Sequence, residues 1–148
     1  MTTTTFSDIR SAAPNKLSVA GAIAGLGGGL VFGILMGMMG MLPLVGMLIR
    51  VENAVVGFIV HMVISALIGA IFGLTAGRFT ASWGSAVVLG IIYGVIWWVL
   101  GGLSLMPLLL GMNEMVFAIG QPQWMSLMGH LLYGIITAII FVPLVKRI

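Results

Sequence analysis

GAIAGLGGGLVFGILMG, residues 21–37, decides the fold class. Within an uncharged apolar run, Gly21, Gly25, Gly29, Gly33 and Gly37 recur every fourth residue. Residues four apart share one ridge of an α-helix, so the run offers an unbroken groove where another backbone can come close. The spacing returns as Ser65, Gly69, Gly73 and Gly77, then as Ala86, Gly90 and Gly94 with Gly102 further on, and in shorter form as Gly134 and Ala138. Lipid gives apolar side chains no reason to prefer one helix over another, so close packing must supply that preference. The ladders therefore predict an all-α integral membrane protein, a tightly packed four-helix bundle with small-xxx-small contacts.

Composition agrees. The 148 residues are 61% apolar and 6% charged, with a mean hydropathy of +1.26. A soluble domain carries about a quarter charged residues, and a disordered chain is poor in apolar ones. There is no cysteine, which excludes zinc–thiolate and iron–sulfur sites. The uncharged apolar runs cover about residues 17–41, 54–77, 83–103 and 124–145, each long enough to cross about 30 Å of hydrocarbon. Residues 1–16, with no periodic apolar face, read as a polar cytoplasmic tail, and 17–148 as a single four-helix transmembrane domain.

The net charge of +3 would suggest nucleic acid in a soluble chain. Here Arg10, Lys16, Arg78, Lys146 and Arg147 fall on one set of segment ends, and only Arg50 on the other. Such a bias orients a membrane chain with both termini in the cytoplasm and implies no polyanion. The two connections on the opposite side, 42–53 and 104–123, are nearly as apolar as the spans. The first reads as a continuation of its helix kinked at Pro43, and the second is long enough for an interfacial helix. Both are expected to rest on the bilayer, with capping of the bundle or a partner contact as alternatives.

A weak duplication accompanies the ladders. Gly-Leu-Val-Phe-Gly at 29–33 matches Gly-Ile-Ile-Tyr-Gly at 90–94, and Met-Leu-Pro-Leu at 41–44 matches Leu-Met-Pro-Leu at 105–108. It sets His61 opposite His130, as in two helical hairpins related by a pseudo-twofold axis along the membrane normal.

His61 and His130 are the only ionisable residues well inside a span. Each lies about six residues from the outer end of its helix, roughly 9 Å deep at 1.5 Å per residue. Both continue a ladder, His61–Ser65–Gly69 and His130–Gly134–Ala138, so both are expected to face the bundle. Gly37 and Trp98 occupy the equivalent ladder positions of the other two helices, and Met36 belongs to a crowd of methionines in the same half. An intramembrane ionisable group is by default a functional-site hypothesis. The leading reading is a non-enzymatic haem- or metal-binding site of His61 and His130 lined by Trp98, Gly37 and Met36. A b-type haem takes two imidazoles, although Trp98 intrudes on the porphyrin's space, and copper(I) suits imidazole with thioether sulfur. One rival is a small ion or solute channel or transporter with the pair at its outer mouth. Another is an accessory subunit of a larger membrane complex in which each histidine only hydrogen-bonds a carbonyl or Ser65 and fixes helix register. Glu52 and Glu114 read as solvated loop charges, and the methionines serve equally as packing filler. No hydrolase triad, phosphate loop or buried carboxylate pair is present, so no enzyme is expected.

The stretches VFGILMGMMGMLP, GFIVHMVISALIGAIFG, GIIYGVIWWVLGGLSLMP and MSLMGHLLYGI combine these glycines, methionines, tryptophans and both histidines in order. Together they resemble a family of small four-span prokaryotic integral membrane proteins without an established activity, over residues of roughly 25 to 140. The resemblance implies four spans in a prokaryotic cytoplasmic membrane and assigns no role to any residue. Partners are expected to be the lipid bilayer and further copies or a larger assembly.

Overall fold

The computed structural model of the chain describes residues 4–148. It is helical throughout, with no strand among the described residues. A short helix α1 (Thr4–Ser11) leads into the long helix α2 (Pro14–Met38), which Pro14 opens from a first-turn position where its missing N–H costs nothing. After Gly40, whose φ of +67° needs glycine, come the short helix α3 (Leu42–Gly46) and a 3-10 turn (Met47–Ile49). Helix α4 (Ala54–Thr75) starts at Asn53, whose Oδ1 accepts from the backbone N–H groups of Val55 at 2.9 Å and Val56 at 3.1 Å. A 3-10 turn (Gly77–Phe79) follows. Helix α5 (Trp83–Trp97) begins with a Ser82–Ser85 capping box. It runs on through a π segment (Trp98–Leu105) into α6 (Met106–Leu109), and α7 (Gln121–Arg147) completes the chain. Four of these helical runs are long and apolar enough to cross a membrane: Pro14–Met38, Ala54–Thr75, Trp83–Leu109 and Gln121–Arg147.

Glycines set the approach of neighbouring helices. A Cβ on Gly21 would strike the carbonyl of Gly69, and one on Gly69 would lie 2.7 Å from the Cα of Gly25. A Cβ on Gly90 would fall 2.6 Å from the carbonyl oxygen of Gly134. Backbone cannot yield as a side chain can, so α2 against α4 and α5 against α7 are in contact main chain to main chain. Helix α2 also packs on α7, where Phe32 covers Gly129 and Gly28 faces Thr137. In contrast α4 and α5 meet mainly through Tyr93, whose hydroxyl donates to the Ile68 carbonyl at 2.6 Å and whose ring packs edge-on against Phe72 at a centroid distance of 5.1 Å.

Three local readings change. The head is helical over Thr4–Ser11, and Ile9 is fully buried, because one apolar residue suffices to dock a two-turn helix on α7 and the 3-10 turn Gly77–Phe79. The chain does not run straight through Pro43. It turns at Gly40, and α3 folds back on α4, where a Cβ on Gly57 would strike the Leu42 carbonyl. The third helical run extends to Leu109, past Leu103: Pro107 has no N–H for the Leu103 carbonyl, which accepts instead from the Phe117 backbone at 2.9 Å.

Candidate functional site

A cavity of about 380 Å³ lies among α2, α4, the π segment and α7, a volume typical of small-ligand sites, about 300–1,000 Å³. The connections that follow α2 and α6 contribute to its wall, with Leu44 and Val45 on one side and Leu110 and Met112 on the other. Both His61 and His130 line it, as do Phe32 and Met36. No Asp, Glu, Lys or Arg does.

The two imidazoles are held differently. His61 is buried, and its Nε2 lies 2.9 Å from the carbonyl oxygen of Gly29 on α2. A carbonyl only accepts, so Nε2 carries the proton and Nδ1 the lone pair. The Ser65 hydroxyl stands 3.4 Å from the same nitrogen. His130 is half-buried, and its Nδ1 donates to the Ser126 carbonyl of its own helix at 2.8 Å. Its proton is therefore on Nδ1 and its lone pair on Nε2. The edge of this ring is turned toward Gly102, whose added Cβ would lie 3.4 Å from His130 Cε1.

Phe32 stands between the rings. Its centroid is 5.3 Å from that of His61 at an interplanar angle of 89°, and 4.8 Å from that of His130 at 63°. The imidazoles thus share one cavity and one aromatic neighbour.

Of the residues singled out in the sequence, the structure brings His61, His130 and Met36 together at the cavity. Trp98 is buried but turned to α7, where its Nε1–H donates to the Gln123 carbonyl at 3.0 Å and its ring stacks on Trp124. Its neighbour Trp97 lines the cavity instead. Gly37 is away from the cavity, beside Leu42 of α3. The sequence reading did not single out Phe32, Ser126 or Trp97. One signal could have found Ser126, which precedes His130 by one helical turn; nothing in the sequence marks Phe32 or Trp97.

Apart from the side chains of Ser126 and Gln123, the remaining donors are sulfur. Met36, Met41, Met106, Met112 and Met115 all contribute to the wall. Among the described residues no three of His, Cys, Asp and Glu gather in one place. No family model, no curated protein and no solved structure matches this chain.

Proposed function

We propose that this is a non-enzymatic membrane protein that binds copper(I) in the outer half of its bundle, with His130 as the nitrogen ligand and methionine thioethers completing the site. The observation that carries the reading is the Ser126 bond. With Nδ1–H held by a carbonyl at 2.8 Å, the ring is fixed in the tautomer that offers Nε2 to a metal, the arrangement in which metal-ligating imidazoles are oriented by their outer partner. Copper(I) is monovalent and soft, and so suits an uncharged cavity with five methionines in its wall.

The Phe32 ring argues against the two-histidine haem version, because it occupies the space between the imidazoles. His61 meets the same condition, with its Nε2–H on the Gly29 carbonyl and its Nδ1 lone pair free of that bond, but its bond also ties α4 to α2. For that residue the register-fixing role has its own support.

The wider setting belongs to the same proposal: a prokaryotic cytoplasmic membrane, with both termini inside and two small-residue-packed hairpins side by side. The hairpin reading is supported by the paired glycine contacts, Gly21 with Gly69 and Gly90 with Gly134, each hairpin carrying its histidine on the second helix.

Anaerobic titration of copper(I) into the purified protein, in competition with a chromophoric chelator, tests the site. Wild type should take one equivalent. His130→Ala should lose affinity by at least about tenfold, as metal ligands and their supports typically do. Equal uptake by the variant, or none by wild type, would remove the proposal.

A further inference from the structure

The open seam between α4 and α5 is a second feature, independent of the metal reading. On the far side of the Tyr93–Ile68 hydrogen bond from the histidines it forms a groove of about 410 Å³. Ile71, Ala76, Phe79, Leu89, Tyr93 and Trp97 are among its walls. A space of this size left empty would forfeit the dispersion contacts of every side chain around it. In a bilayer the occupant at hand is an apolar chain.

The end of the groove supplies the head. Phe79 lines it, and Arg78, the preceding residue of the same 3-10 turn, is exposed. Arg10 and Lys16 begin the chain at this end, and Lys146 and Arg147 finish α7 there, whereas Glu52 and Glu114 lie in the connections at the other end. Positive charge beside an acyl-sized groove is the chemistry that selects an anionic headgroup over a zwitterionic one.

We infer that the α4–α5 groove holds one acyl chain of an anionic phospholipid, with the phosphate at Arg78 and the chain running up to Trp97. The occupant enters sideways from the bilayer, through the groove that Ile71 and Phe79 on one side and Leu89 and Trp97 on the other leave between α4 and α5.

Brominated acyl chains quench tryptophan at contact, and with Trp83, Trp98 and Trp124 changed to Phe in every protein compared, Trp97 alone reports occupancy. The protein is placed in phosphatidylcholine vesicles containing equal minor fractions of brominated phosphatidylglycerol or brominated phosphatidylcholine. The anionic lipid should quench at least about twofold more than the zwitterionic one, reflecting its attraction to basic residues. That excess should vanish in Trp97→Phe, which removes the reporter, and in Arg78→Gln, which removes the charge from an exposed turn without touching the bundle. Equal quenching of Trp97 by the two lipids with Arg78 in place would overturn the inference, as would an excess that survives Arg78→Gln. Quenching by neither, with Trp97 shielded in a cross-linked dimer, would give the groove to a second copy and overturn it equally.

Discussion

His61 and His130 differ by where one proton is spent. The first donates across to another helix and the second to its own, so their loss should register in different measurements. His61→Ala removes the α4–α2 hydrogen bond to Gly29 and should lower unfolding stability in detergent by about 0.6–1.7 kcal/mol, the range for such bonds between membrane helices. His130→Ala breaks no interhelical bond; its effect should appear in copper(I) affinity with stability nearly unchanged. A larger stability loss for His130 than for His61 would contradict this division. Phe32→Ala tests the wedge: clearing the space between the imidazoles should let added haem give a two-histidine absorption spectrum that wild type does not give. None of this asymmetry was legible in the sequence, where the histidines look equivalent. Which carbonyl each one reaches depends on helix register, and that is fixed only by packing.

At the scale of elements, the ladders carried more about packing than about the site. A run of glycines marks the ridge that a neighbouring backbone covers, so a large residue continuing that ridge abuts the neighbour and lines no cavity. Trp98 continues Gly90 and Gly94, the ridge that faces α7, and accordingly meets Gln123. Gly37 continues the α2 ridge and ends beside Leu42. The cavity is lined from the adjacent ridge, which is why Trp97 replaces Trp98 there. The π segment that begins at Trp98 leaves no mark in hydropathy, because it changes the turn and not the composition. Two glycine substitutions separate contact from mere presence. Gly69→Ala forces a methyl group into the Gly21 and Gly25 backbone and should cost about 1–3 kcal/mol of stability. Gly101→Ala, whose nearest neighbour would be a Trp97 ring atom at 3.9 Å, should change stability by less than about 0.5 kcal/mol. Similar losses for both in a thermal melt would mean that the ladders do not hold the bundle together.

For the whole molecule, the four long helices were legible because a continuous apolar run of some twenty residues admits no other structure in lipid. What escaped was set by single residues: Ile9 docking a terminal helix, Gly40 reversing the chain, Pro107 leaving the Leu103 carbonyl to Phe117. The proposed orientation rests on the placing of the basic residues and is open to a direct check, since the chain has no cysteine. In intact cells, a membrane-impermeant thiol reagent should label Asn113→Cys at once and Arg147→Cys only after permeabilisation; the reverse order would invert the topology. At this scale the proposed copper(I) site is one cavity whose wall holds an imidazole and thioethers. The most direct measurement is the copper-edge X-ray absorption spectrum of the copper(I)-loaded protein. It should show imidazole nitrogen together with a sulfur shell, the nitrogen signal falling in His130→Ala. A spectrum without sulfur, or one that His130→Ala leaves unchanged, would contradict it.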